Sequence, residues 1–299
     1  MGSSKNLFYR IQLVILAVCY KTLQTLRKYG KVQLSNLAVF GDDDLGLRIV
    51  CFGEFETETL SYLRDFFKTS MRDKQFIDVG ANLGNHSNGL FKSFAECHAF
   101  EPSPRTFHLL KANMADKPNV ICRQIALSDY NGAARFHQDN SNSGKSYIVD
   151  KPPFSAKKND DSYIEIKTIR LDDALTEHSK IGLIKIDVEG HELQVLQGAV
   201  NILQDHKPLV MIEVLASEIS NGQTPSLNFL QEKGYTTFFN IEPKALQISL
   251  ISNTPILRWM NHLILILDLI ILGPRGVSVE ELDIASLKKK NYSTILVSA

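Results

Sequence analysis

Between residues 75 and 126, apolar runs of strand length alternate with stretches of helical periodicity, and few folds accept that order. Residues 75–80 are a short apolar run ending in a glycine turn, 84–94 a helix, 97–101 a second strand, 103–114 a helix and 120–126 a third strand. Right-handed crossovers make such a βαβαβ run a parallel sheet with helices on both faces. A polar, irregular stretch at 139–161 interrupts the alternation and reads as an insertion beside a site. The spacing then predicts an alternating strand at 163–169, a helix at 171–177, strand 183–187, helix 192–203, strand 209–214, helix 227–233, strand 235–241 and a last strand at 293–298. Ahead of the sheet, a helix at 57–68 carries Leu60, Leu63, Phe66 and Phe67 on a stripe that must cover something.

At 299 residues the chain suits one large α/β domain with an extension, divided as a helical or irregular segment at 1–70 and a domain at 71–299. Lys+Arg and Asp+Glu are equal at 33 each, which excludes a polybasic nucleic-acid surface. Cys19, Cys51, Cys97 and Cys122 show neither CxxC nor CxxH spacing, so they read as thiols of a reducing compartment rather than zinc ligands. Two apolar segments stand apart. Leu7, Ile11, Val14, Ile15, Val18, Leu23 and Leu26 recur at helical spacing, and an apolar helix is expected as an insertion at about 255–274. Asp268 lies inside the second, where a mid-span carboxylate costs about 2.5–3.5 kcal/mol on insertion scales. Spanning is therefore disfavoured, and both segments read as amphipathic helices docked on the domain or on a membrane surface, with Trp259 near the wet end. The expected location is cytoplasmic, with peripheral membrane contact as the alternative; nothing in the sequence sets an oligomeric state.

The first strand and its turn, FIDVGANLG at 76–84, place Asp78 near a carboxyl end, Gly80 in the turn and Gly84 at the start of the helix. Ligands of open α/β sheets bind outside those strand ends. A dinucleotide turn needs glycine where Asn82 and Asn85 stand, and no lysine follows to make a phosphate-binding P-loop. Asp78 would also repel a pyrophosphate. A cationic ligand fits better, and S-adenosylmethionine carries a sulfonium and an ammonium. Glu101 ends the second strand, where an acidic side chain accepts hydrogen bonds from ribose hydroxyls, and Ile125, Ala126 and Leu127 end the third, where apolar atoms sandwich an adenine or simply fill core. The expected cofactor residues are Asp78, Gly80, Asn82, Gly84, Asn85, Glu101, Ala126 and Leu127.

These residues resemble a known family, the FkbM-type S-adenosylmethionine-dependent methyltransferases. The resemblance runs from about residue 53 to 214 and rests on FIDVGANLGNHS at 76–87, HAFEPSP at 98–104, IALSDYNG at 125–132, IRLDD at 169–173 and IKIDVEGHELQVLQGA at 184–199. It implies a class I Rossmann-like α/β fold with a seven-stranded, mostly parallel sheet of order 3-2-1-4-5-7-6, the last strand antiparallel and helices on both faces. It also implies O-methylation of a hydroxyl on a sugar, glycan or glycolipid. His191 stands where such proteins often show a small residue.

Methyl transfer from a sulfonium is an in-line displacement that also removes a proton from the attacking hydroxyl. A base is needed where the fourth strand meets its helix, and KIDVEGHE at 185–192 supplies Asp187, Glu189 and His191 as the candidate catalytic residues. Asp187 would orient the hydroxyl or hold the sulfonium region, with Glu189 or His191 removing the proton and His191 favoured by its intrinsic pKa near neutrality. Glu213 brings another carboxylate toward the same edge. Such acids could hold Mg²⁺, but acids at strand ends and helix starts more commonly pair with helix dipoles, so no metal ligand is assigned. The segment NSNSGKSY at 140–147 suits hydrogen bonding to sugar hydroxyls, a lid, or an ordinary hairpin loop. The alternative function is a catalytically silent, methyltransferase-like scaffold at a membrane; nicotinamide-dependent oxidoreduction is a third reading.

Overall fold

The computed structural model describes residues 35–41, 43–139, 142–150, 162–175, 180–244 and 276–299, with helical positions 14, 17, 18, 21, 22, 24, 25 and 28 ahead of them. The expected apolar helix at 255–274 and most of the one at 7–26 lie outside these residues. Among the described residues no helix is long and apolar enough to cross a membrane.

Two helices come first, α1 (Asp44–Phe52) and α2 (Thr57–Phe67). Strand β1 (Gln75–Val79), helix α3 (Asn85–Leu90), strand β2 (Glu96–Phe100), helix α4 (Pro104–Asn113) and strand β3 (Val120–Arg123) then realise the βαβαβ run. The chain leaves the main sheet at this point. Strands β4 (Ala126–Leu127), β5 (Gly132–His137), β6 (Tyr147–Asp150) and β7 (Tyr163–Ile169) build a separate four-stranded sheet of order β4-β7-β5-β6. Helix α5 (Leu171–Ala174) returns to the main sheet through strand β8 (Ile181–Ile186), followed by helices α6 (Glu192–Gln197) and α7 (Val200–Asp205) and strand β9 (Leu209–Val214). Helix α8 (Pro225–Glu232) and strands β10 (Thr237–Pro243), β11 (Val277–Glu281) and β12 (Tyr292–Ser298) complete the described chain.

The main sheet runs β11-β10-β12-β9-β8-β1-β2-β3. It has eight strands where seven were expected, because β11 adds an edge by pairing antiparallel with β10. Strand β12 inserts between β9 and β10, antiparallel to both. A single strand expected at 120–126 is broken in two, and its second half joins the small sheet beside β7. The helix expected at 192–203 is likewise broken, at Gly198. A Cβ on that glycine would stand 1.9 Å from the Ser128 carbonyl oxygen, so the chain turns where helix and small sheet press together.

Alternation along the strands divides the core. Ile77, Val79, Ile184, Ile186, Val210 and Ile212 face one side and pack with Val195, Leu196 and Leu203 from α6 and α7. Phe76, Leu183 and Met211 face the other, where Leu60, Leu63 and Phe67 of α2 cover them. The stripe read from the sequence is thus a sheet cover, except that Phe66 stays largely exposed. Asp78 and Lys185 are register partners on the α2 side of the sheet, so alternation puts two charges into that face. The IRLDD block has a structural use: Asp172 accepts from the backbone N–H groups of Asn201 and Ile202, at 3.2 and 3.1 Å, capping the first turn of α7.

Gly198→Ala is expected to lower stability by about 1–3 kcal/mol, since the added methyl overpacks a backbone contact. The check is a lower urea midpoint with unchanged slope; an unaltered midpoint would mean that the two layers are not in contact there.

Candidate functional site

The site lies where the sheet order reverses, at the carboxyl ends of β1, β2 and β8. Main-chain bonds fix its floor. The N–H groups of Gly80 and Ala81 both donate to the Phe100 carbonyl, at 3.1 and 2.9 Å, and that of Asp187 donates to the Val79 carbonyl at 3.2 Å. Gly80 has φ +72, and a Cβ there would sit 2.0 Å from the Asp187 carbonyl oxygen. Only glycine lets the turn after β1 lie this close to the end of β8.

Beneath this turn is a buried ammonium. Lys185 Nζ donates to the Gly80 carbonyl at 3.1 Å and lies 3.1 Å from Asp187 Oδ2 and 3.6 Å from Asp78 Oδ1. Burial would discharge this lysine, but the two carboxylates outweigh burial and its pKa is raised. Burial also pushes Asp187 upward, yet the Lys185 charge and hydrogen bonds from Glu213 and Lys185 bring it below the ordinary carboxylate range. Glu213 takes the opposite course. Burial, the Asp187 charge and the hydrogen bond to Asp187 push its carboxyl up to about 9, so Glu213 holds the proton that the pair shares.

Two cavities open on this cluster. The first encloses about 630 Å³, part of it open solvent, and is lined by Gly80, Asn82, Glu101, Ala126, Leu127, Asp187, Glu189 and His191, with Ile125, Phe136 and Ile148 as apolar wall. The Glu101 carboxylate accepts from the backbone N–H of Ser103 at 2.8 Å and of Asn82 at 3.1 Å. Burial nevertheless pushes it up to about 7. The second cavity, about 1340 Å³ with its open part, shares Gly80, Asn82, Asp187 and Glu189 with the first and continues past Asn85, His86, Arg48, Glu56, Glu213 and Thr294. Glu189 sits at the junction on a left-handed residue, φ 54, with its carboxyl raised to about 7 by burial and by Asp187. Ser143 lines the first cavity, its Oγ 2.5 Å from Asp43 Oδ2 and 3.0 Å from Asn82 Oδ1.

The structure therefore sorts the expected residues. Gly80, Asn82, Glu101, Ala126 and Leu127 share one cavity wall with Asp187, Glu189 and His191. Asp78 lines neither cavity: it is fully buried, accepts from Ser87 Oγ at 2.6 Å and faces Lys185. Gly84 packs against Met114 and Leu110 instead. The Asn85 amide is spent on the backbone of Phe55, donating to its carbonyl and accepting from its N–H, both at 2.9 Å. His191 begins α6 with Nε2 2.9 Å from Ser128 Oγ. The neighbouring Glu192 accepts from the N–H groups of Val188 and Gly190, holding the 188–190 turn closed. Sequence reasoning missed His86 and Glu56, which meet on the wall of the second cavity; a histidine inside the glycine-turn block was the available signal. Among the described residues, Asp187, Glu189 and Glu213 alone group three carboxylates close enough for a shared cation, within 4.8 Å. The Lys185 ammonium lies beside this group, 3.1 Å from Asp187 Oδ2, and is shared with Asp78.

Fold and site together define an open α/β protein with a two-part crevice at its topological switch point. A model of the methyltransferase FkbM domain matches residues 78–237, and the chain belongs to that family. It is 32% identical to the hexuronic acid methyltransferase AglP of Haloferax volcanii over 52% of this chain and 61% of that protein. It is 31% identical to the 31-O-demethyl-FK506 methyltransferase FkbM of Streptomyces tacrolimicus, over 61% of this chain and 80% of that protein. The 2-O-methyltransferase NoeI of Sinorhizobium fredii is 28% identical over 51% of this chain and 68% of its own length.

Lys185→Met should cost about 3–5 kcal/mol, because it strands the fully buried Asp78 carboxylate without a counter-charge. A denaturation midpoint within error of wild type would show that the ammonium is dispensable. Stability should also fall as pH rises. The Glu213 carboxyl ionises near 4.5 when unfolded and near 9 in place, so between these values the unfolded state releases a proton that the folded state keeps. Melting temperature should decline from pH 5 to 9, and Glu213→Gln should flatten the upper part of that decline.

Proposed function

We propose that this protein is an S-adenosylmethionine-dependent O-methyltransferase whose acceptor is a hydroxyl of a sugar, glycan or glycolipid. The observation that carries the reading is a cavity with a glycine turn at one end and a buried, hydrogen-bond-accepting carboxylate at the other, adjoining a second cavity. The residues fit the cofactor. Glu101 would accept from the ribose hydroxyls, the Gly80–Asn82 backbone would approach the amino-acid portion, and Leu127, Ile125 and Phe136 would flank the adenine. The sheet order supports a class I arrangement, and Asp78 acts through Lys185, holding the ammonium that shapes the turn.

When bound, the cofactor supplies an electrophilic methyl group on a sulfonium that departs as a neutral thioether. The chain's own task is to place an oxygen in line and dispose of its proton. Asp187 and Glu189 stand at the passage between the cavities, where their carboxylates would hold the acceptor hydroxyl. His191 lines the cofactor side. Polar groups along the second cavity suit a multiply hydroxylated acceptor, and the names of two relatives, a hexuronic acid methyltransferase and a 2-O-methyltransferase, support that class. Peripheral membrane contact through the apolar 256–272 segment would suit a glycolipid acceptor.

Incubation with methyl-labelled cofactor and fractionated cell glycans and lipids should transfer label to a carbohydrate-bearing fraction; transfer to none would overturn the reading. Calorimetry should show S-adenosylmethionine binding that tightens as pH rises through about 7, because ribose hydroxyls donate to the ionised form of Glu101. Glu101→Gln should weaken binding by about 1.5–3 kcal/mol and remove this pH dependence. Asp187→Asn should leave affinity nearly unchanged and lower turnover by about 10²-fold. Preferential binding of NAD would instead favour oxidoreductase chemistry.

A further inference from the structure

The second cavity holds a histidine that neither the cofactor nor the carboxylate cluster uses. His86 lies in the first turn of α3, within the glycine-turn block, and only 10% of its side chain is exposed. Its Nε2 is sealed from solvent 3.3 Å from Glu56 Oε2, without a fully formed hydrogen bond. What exposure the ring keeps therefore lies away from Nε2, on the cavity that it lines together with Asp187 and Glu189.

Glu56 is held in place with unusual care. It occupies a left-handed backbone conformation, φ 55 and ψ 45, just before α2, where a non-glycine residue is strained. The preceding residues are pinned on both sides: Glu54 takes a bidentate pair of bonds from Arg64, both 2.8 Å, and Phe55 is gripped through its backbone by Asn85, the residue next to His86. These ties bring a carboxylate to one ring nitrogen and leave the other for the cavity.

The geometry points to His86 as the group that takes the acceptor's proton, with Glu56 as its positioning residue. This rests on the O-methyltransferase reading given above. In this assignment the proton sits on Nε2, 3.3 Å from the Glu56 carboxylate, which leaves the Nδ1 lone pair bare. As the acceptor oxygen attacks the methyl carbon, its O–H bond breaks and the proton goes to Nδ1; the O–C bond forms while the methyl–sulfur bond breaks, its electron pair leaving on the neutral thioether. The imidazolium that results lies beside Glu56 and within the field of Asp187. Asp187 is itself occupied by Lys185 and Glu213, and His191 by Ser128, whereas His86 Nδ1 has no such tie among the described residues. The charged groups around the ring are Glu56 from the turn before α2, Lys185 and Asp187 from β8 and its end, Glu189 beyond it, Glu213 from β9, and Arg48 and Lys145 at the mouth.

Spectra, turnover and chemical rescue test this. Nitrogen-15 imidazole spectra of the protein alone, with the His86 signals identified by their loss in His86→Asn, should show the Nε2–H tautomer, and Glu56→Gln should weaken that preference. In turnover with labelled S-adenosylmethionine and a panel of methyl hexosides and methyl hexuronosides, His86→Asn and His86→Gln should lose about 10²-fold or more in kcat while KM and cofactor affinity change little. Free imidazole should restore at least tenfold of the loss in His86→Ala, which a purely structural role would not allow. An Nδ1–H tautomer in the wild type, or full turnover in both folded His86 variants, overturns the assignment while leaving the O-methyltransferase reading intact. Absence of transfer by the wild type to every sugar and glycan fraction overturns both.

Discussion

The Lys185 ammonium, buried under the glycine turn, is the interaction on which the site depends. It binds the carbonyl of Gly80, the side chain of Asp187 and, from the adjacent strand, Asp78. Three pieces of backbone that carry chemistry are tied to one charge: the turn after β1, the end of β8 and the floor between them. A neutral side chain there would leave the buried Asp78 carboxylate stranded and Asp187 without its partner, and a shorter cation would not span them. The acidic strand end looks from the sequence like a place to receive a cationic ligand. In the fold that charge is already answered from below, and the carboxylate that reaches the cavities is Asp187, which the lysine holds ionised.

This arrangement divides labour between two faces of one crevice. On one side lie Glu101 and the apolar ends of the third strand and small sheet; on the other, His86, Glu56, Glu213 and the mouth residues Arg48 and Lys145. Asp187 and Glu189 belong to both. Their carboxyls, with Glu213, are pushed to different values by unequal burial and by each other, so neighbouring acids differ in charge at neutral pH. Groups whose pKa values are driven apart in this way can receive a hydrogen bond at one atom and give one at the next.

Much of the fold was legible because periodicity is local. Parallel strands buried on both faces write themselves as short apolar runs, and crossover helices as stripes. The break of β3 from β4 was not legible, since residues 120–126 are uniformly strand-like and only contact with β7 takes the second half into another sheet. The same holds for Gly198, where the reason for the break is the Ser128 carbonyl pressing on it from elsewhere in the chain. Strand β11 was missed because it is short and its edge position leaves most of it exposed.

The sequence by itself determined the chemistry of the turn: a glycine where a side chain would strike the neighbouring strand, an acid ending the next strand, and a dense block of acids after the fourth. Those features depend on residue type at fixed short spacing, and spacing survives in one dimension. Tertiary structure alone decided which acids face a ligand and which are consumed. Asp78 and Lys185 are 107 positions apart yet stand in register on adjacent strands, and Glu56 and His86 come together only because α2 folds back across the sheet. Charge neutralisation acts through a few ångströms of low-dielectric interior, whatever the distance along the chain, so the role of each carboxylate follows from its spatial neighbours rather than from its motif.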